Sequence, residues 1–271
     1  AHDEQILRFP LSDRIEHIIM IVSFSVLAFT GLPQMFSTWP ISQWTINAMG
    51  GIEAVRVYHR ISASVLILAS IWHIAMMGYK IYVKRVRMTM LPGWDDVTDA
   101  AQALTYNFRI TKTPPQMGKF NFMEKAEYWA LIWGTGVMMV TGYMLWNPIA
   151  TTSLLPGAVI PVARMAHGLE AVLAVLSIVT WHMYHVHLKR FNRSMFTGNI
   201  SREEMEEEHQ DELALHDAGL AHPHARSQEN MRRRMRIYVP VAGVITAMLF
   251  LATFYFLTFE QTAITTIQAP D

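Results

Sequence analysis

The sequence contains no cysteine. That absence excludes disulfides, thiolate-held iron–sulfur clusters and covalently attached c-type haem from this chain. Charge is scarce as well: 16% of the 271 residues are charged, against roughly 25% in soluble globular proteins. Basic and acidic residues balance at 22 each, a formal net charge of zero, so no basic excess marks a nucleic-acid partner. Neither Lys nor Arg occurs between Gly31 and Val55 or after Phe259. What is plentiful is hydrophobic side chain, 52% of the total, and that points to a membrane class.

Five apolar segments reach the length of about 20 residues needed to cross a bilayer. They run over about 15–35, 55–83, 128–146, 162–188 and 237–259. The first begins after Arg14 and is long enough to be a true span, so no cleavable signal peptide is expected. Lys80, Lys84, Arg85 and Arg87 follow the second segment; Lys189, Arg190 and Arg193 follow the fourth; Arg232, Arg233, Arg234 and Arg236 precede the fifth. The positive-inside rule then puts the N-terminus inside and the C-terminus outside, in a cell inner (cytoplasmic) membrane.

The first four segments look like an internal duplication. Arg14-Ile15-Glu16-His17 opens the first and Lys125-Ala126-Glu127-Tyr128 opens the third. Sixteen residues after each basic residue comes a Thr-Gly pair, Thr30-Gly31 and Thr141-Gly142. The second segment carries Arg56-x-x-His59 and then Trp72-His73; the fourth carries Arg164-x-x-His167 and then Trp181-His182. Two helix pairs in one orientation make a four-helix bundle with a pseudo-twofold axis along the membrane normal, and such bundles hold cofactors between facing helices. The fifth segment stands outside the repeat as an added anchor.

His17, His59, His167 and His182 lie near the ends of these helices, two beside outward ends and two beside inward ends. Neutral imidazole is a usual axial ligand of haem iron, and ionisable groups inside a bilayer default to a functional reading. A single membrane histidine is commonly an interhelical hydrogen-bond partner; four at two matched depths are what two stacked bis-histidine haems need. His59 and His73 are 14 residues apart and His167 and His182 are 15 apart. Each pair therefore spans about 21–23 Å of helix and lies within about 60° of one face, a separation that leaves haem edges close enough for electron tunnelling. Arg56, Arg60 and Arg164 flank the outer histidines, and the arginine fork is suited to a haem propionate.

The chain resembles the gamma subunit of membrane-bound formate dehydrogenases, a di-haem cytochrome b family related to hydrogenase cytochrome b subunits. The residues that carry the likeness are Arg14-Ile15-Glu16-His17, Tyr58-His59-Arg60, Lys119-Phe120-Asn121 with Lys125, and His182-Met183-Tyr184 with the charged tail 191–202. It covers about 8–205. The resemblance implies an outer haem b between His59 and His167 and an inner haem b between His17 and His182. It also implies a quinone pocket, for menaquinone or ubiquinone, beside the inner haem and involving Asn121, Lys119 and Lys125. The implied partner is an outer-face iron–sulfur or multihaem cytochrome subunit, with the primary substrate site on another chain. Electrons arriving from outside, with protons taken from inside, would build a proton-motive force.

Two points stay open. His73 stands at the repeat position of His182 and competes with His17 for the inner haem: the duplication favours His73, the family motif His17. If His17 is the ligand, His73 is a quinone contact, a proton relay or an interhelical hydrogen-bond partner. The extra residue between His167 and His182 calls for a local irregularity, of which a π-bulge is one form, or for slightly different haem tilts. Glu16, Glu124 and Glu127 are proton-relay candidates, against the plainer reading as anions at helix N-termini. His185 and His187 read as interfacial residues rather than a metal cluster. His209, His216, His222 and His224 fit no tight zinc spacing and read as part of a solvated or partner-covering loop. The Glu203 to Glu208 run reads as a solvated helix face, and Trp39, Trp44, Trp94 and Trp146 as an interfacial belt. The stretch 260–268 is a candidate docking tail.

The expectation is an all-α integral membrane protein: a four-helix haem-binding bundle of two duplicated pairs plus a fifth C-terminal transmembrane helix. Residues 1–200 form the di-haem domain, 201–234 a charged cytoplasmic segment, and 235–271 the last helix with its outside tail. The leading function is a quinone-reactive cytochrome b subunit of a respiratory oxidoreductase. A stand-alone b561-type electron-transfer cytochrome and a haem-free transporter or scaffold are the alternatives.

Overall fold

The computed structural model describes residues 4–189, 191–220 and 228–259. The docking tail at 260–268 lies outside them, as do His222 and His224. The fold is mostly helical, with α1 (Leu11–Met35), α2 (Pro40–Ala48), α3 (Ile52–Gly78), α4 (Trp94–Asn107), α5 (Phe122–Trp146), α6 (Pro148–Leu154), α7 (Val159–Ser177), α8 (Ser194–Thr197), α9 (Arg202–Glu208), α10 (Gln210–Asp217) and α11 (Gln228–Thr258). Strands β1 (Gln5–Leu7) and β2 (Asn199–Ser201) pair antiparallel, with Ile6 opposite Ile200.

Local chemistry explains where these helices begin and end. Pro40 and Pro148 open α2 and α6, where a missing N–H costs nothing. The break between α2 and α3 falls on Gly50 and Gly51, both at φ 94°, a left-handed conformation that glycine adopts freely. Asn121 caps α5: its side-chain oxygen accepts from the Glu124 N–H at 2.9 Å, and Glu124 accepts from the Asn121 N–H at 2.9 Å. Ser201 and Glu204 form the same reciprocal cap on α9.

Four stretches have the length and apolarity to cross a membrane: 11–35, 52–83, 159–188 and 228–258. Their large apolar side chains point outward, Phe29, Val162 and Leu251 among them, while small polar residues turn inward: Ser23, Thr30, Ser62 and Thr253 are buried. Inside-out burial of this kind suits lipid, where helices meet through small residues. Thr30 and Thr253 donate to carbonyls one turn back, which satisfies the hydroxyls. The protein is therefore an all-α multi-pass membrane protein. The third expected span forms as the 25-residue α5 but is not among these four. Its Trp, Tyr, Gly and Thr residues dilute the aliphatic content that the other helices carry.

The chain divides into two units. One is built from 1–14, 75–130 and 192–243, the other from 15–74, 131–191 and 244–271. The first unit has its own small core of Ile6, Ile200, Met205 and Leu213. The stretch that carries His209 and His216, expected as a solvated or partner-covering loop, is instead built of regular elements. Residues 199–217 form β2, α9 and α10, and His209 is buried at 1% exposure, with its Nδ1 2.7 Å from the Gly118 carbonyl oxygen. Because a carbonyl only accepts, His209 carries its proton on Nδ1. Leu213 and Met205, one apolar residue on each short helix, close this face against the strand pair.

Candidate functional site

In the second unit, α3 and α7 bring His59 and His167 together. Their ring centroids are 6.3 Å apart at an interplanar angle of 65°. Two imidazoles brought this close are the donor set that a bis-histidine metal site requires. Thr30 Oγ1 lies 2.8 Å from His59 Nδ1, and Thr141 Oγ1 lies 2.9 Å from His167 Nδ1. Both contacts are on the ring nitrogen away from a metal bound at Nε2.

The other two histidines lie at the opposite ends of their helices. His17, on α1, has a buried Nδ1 with no hydrogen-bond partner among the described residues, and lies within electrostatic reach of His182 and His187. The His182 and His187 rings are 6.4 Å apart, and His187 Nδ1 is likewise buried without a hydrogen-bond partner among the described residues. Three imidazoles are thus gathered near one another, the donor chemistry that a histidine-ligated group requires. His182 closes a π-helical turn over Ile178–His182, and a second π turn runs over Tyr184–Lys189. A π turn takes up one additional residue, so the 15-residue spacing on this helix presents its two histidines much as the 14-residue spacing on α3 does.

His73 is elsewhere engaged: its Nδ1 is 2.7 Å from Glu16 Oε2. Sequence reasoning offered His73 as a rival to His17 but did not see this pairing, and it missed His187 as a neighbour of the inner histidines. His185 is turned to the Trp181 carbonyl at 3.0 Å. No group of three or more His, Asp and Glu arranged to hold a metal ion occurs among the described residues; a bis-histidine site needs only two.

The arginines divide. Arg60 lies over the Trp146 ring at 4.6 Å, Arg56 pairs with Glu53 at 2.8 Å, and Arg164 is exposed on α7.

In the first unit, Asn121 spends its side-chain oxygen on the α5 cap, which does not use its amide nitrogen. Lys125 pairs with Asp96 at 2.6 Å. Lys119 stands over Phe120 and lines a cavity of about 130 Å³ with Arg8, Arg87, Glu212 and His216; burial pushes its amine below the usual lysine range. Glu124, besides capping α5, pairs at 2.9 Å with Arg8, whose side chain is 4% exposed. Of the three relay candidates, Glu16 and Glu124 are thus committed to partners.

Fold and site together define a multi-pass helical membrane protein with paired interior histidines. No family model matches the chain. The chain is similar to the formate dehydrogenase cytochrome b556(fdo) subunit of Escherichia coli strain K12, 25% identical over 199 residues that make up 73% of this chain and 84% of that one. It is also similar to the nitrate-inducible formate dehydrogenase cytochrome b556(Fdn) subunit of the same strain, 21% identical over 74% of this chain and 87% of that one. A third relative is the formate dehydrogenase cytochrome b556 subunit of Haemophilus influenzae, 22% identical over 74% of this chain and 77% of that one. These relatives bear out the resemblance read from the sequence.

Proposed function

We propose that this chain is the membrane cytochrome b subunit of a respiratory oxidoreductase, passing electrons between an outer-face redox partner and the membrane quinone pool. The observation that carries the reading is the His59–His167 pair, 6.3 Å apart between ring centres and hydrogen-bonded at Nδ1 on both sides. His59 and His167 would hold an outer haem b; His17 and His182 would hold an inner one. Two bound haems supply one-electron carriers in series. The residues do the rest. Arg60, with Arg56 and Arg164, would pair with propionates. The amide nitrogen of Asn121 would donate to a quinone carbonyl. Lys119 and Lys125 would flank that quinone, and burial, which lowers the basicity of Lys119, would let Lys119 give up a proton.

In this reading α5 spans the membrane as the repeat equivalent of α1, residues 1–200 form the di-haem domain, and 201–234 and 235–271 form the cytoplasmic segment and the last anchor. The membrane is the cell inner membrane, with the N-terminus inside. The partner is an iron–sulfur or multihaem cytochrome subunit, and the family motif favours His17 as the inner ligand over His73, whose Nδ1 meets Glu16.

The test is a pyridine haemochrome assay with redox-titrated spectra on the wild type, His59→Ala, His17→Ala and His73→Ala. Two b-haems are expected in the wild type, with one lost in His59→Ala, one lost in His17→Ala and both kept in His73→Ala. Loss in His73→Ala alone moves the inner site to His73 and His182. A wild-type protein without haem sinks the electron-carrier reading.

A further inference from the structure

The repeated Thr-Gly pair is a sequence motif to which the haem ligands alone assign no role. Each threonine hydroxyl has one hydrogen. In Thr30 it goes to the Val26 carbonyl at 2.6 Å, and in Thr141 to the Val137 carbonyl at 2.6 Å. The same two oxygens lie 2.8 Å and 2.9 Å from His59 Nδ1 and His167 Nδ1. With its hydrogen spent on the backbone, each hydroxyl is left to accept, and the imidazole proton therefore sits on Nδ1. The lone pair of each ring is then on Nε2, the form that binds a metal. The glycines serve the same arrangement. A Cβ at Gly31 would meet His59 Cε1 at 3.1 Å, and one at Gly142 would meet His167 Cε1 at 3.3 Å. Threonine holds the ring and glycine leaves room for it, twice, at equivalent places in the two halves of the repeat.

We infer that Thr30 and Thr141 are positioning residues that fix His59 and His167 as Nδ1–H tautomers and strengthen their Nε2 atoms as donors. The inference rests on the proposed function, because it concerns the ligands of the outer haem. Hydrogen bonding at the distal nitrogen raises the basicity of a ligating histidine, and a more basic ligand favours the ferric state. Removing the acceptor therefore raises the reduction potential. In the inner pair, His17 Nδ1 has no such acceptor among the described residues.

The experiment is a redox titration of the full complex carrying Thr30→Val, Thr141→Val, both together, or the serine replacements. The outer haem is identified as the one absent from His59→Ala. Valine keeps the shape and removes the hydroxyl acceptor, leaving at His59 only the Leu27 backbone within hydrogen-bond reach; serine keeps the hydroxyl and removes a methyl. The expected result is an upward shift of the outer-haem potential in each valine variant, of about tenfold in the reduction equilibrium or about 59 mV for one electron. The inner-haem potential stays unchanged, and serine restores the wild-type value. Loss of the outer haem in the valine variants alone supports the same role. Unchanged potentials with both haems retained overturn the inference, as does equal loss in valine and serine variants. Absence of haem from the wild type overturns the proposed function instead, so the two failures are distinguishable.

Discussion

Gly31 and Gly142 each stand where a side chain would strike an imidazole edge, 3.1 Å and 3.3 Å from the nearest ring carbon. Core packing does not yield to an added branch without displacing its neighbours, and here the neighbour is a rigid ring tied at Nδ1. Replacing Gly31 with leucine is expected to push His59 off its threonine. Haem content should fall from two to one, with the inner haem unaffected, which a pyridine haemochrome assay measures directly. Gly134 shows the same economy beside a different group, since the carboxylate of Glu170 occupies the space where its Cβ would be. No signal in the sequence other than glycine itself marks that contact. Thr30 and Thr141 did leave a signal, their equal distance from the basic residue that opens each half. That distance showed a repeat and nothing of what the hydroxyls touch.

At the scale of elements, the strand pair with α9 and α10 is the part whose stability depends most clearly on acidity. Burial and then the Arg8 charge lower the His209 pKa to about 3, against about 6.5 for the ordinary side chain. The unfolded segment therefore binds a proton that the folded one refuses. Stability contributed by the neutral ring is complete above about pH 6.5 and is lost progressively as pH falls toward about 3. Protection factors for hydrogen exchange across 199–217, taken relative to the intrinsic exchange rate at each pH, should fall over that window, and His209→Gln should flatten the dependence. The π turns make a second point at this scale. An odd residue count between His167 and His182 was legible as an irregularity, and the structure resolves it into Ile178–His182. By contrast α5 forms a full helix while carrying too many Trp, Tyr and Gly residues to read as strongly apolar as α1.

For the whole molecule, the proposed orientation rests on the distribution of Lys and Arg. The lack of cysteine makes this testable without background, because every introduced thiol is the only one in the chain. Gln43→Cys, between the first two spans, is expected to react with a membrane-impermeant maleimide added from outside. Ser227→Cys, before the arginine cluster, should react only after the membrane is opened. The reverse pattern would invert the topology and, with it, the side on which quinone and redox partner are placed.

Sequence alone determined the membrane class and singled out the helix pairs and the four histidines as candidates, because apolar length, basic flanks and repeated spacing are local properties that survive in one dimension. It also carried the likeness to formate dehydrogenase cytochrome b556 subunits, since Arg14-Ile15-Glu16-His17 and its companion motifs are contiguous. Only the tertiary structure decided which nitrogen of His59 and His167 is held, because the threonines that hold them lie 29 and 26 residues away on other helices. It likewise decided that His73 belongs to Glu16, 57 residues distant, and that His209 is a buried histidine rather than a solvated one. Hydrogen-bond partners are chosen by packing, and a pattern along the chain does not encode which side chains meet when helices pack.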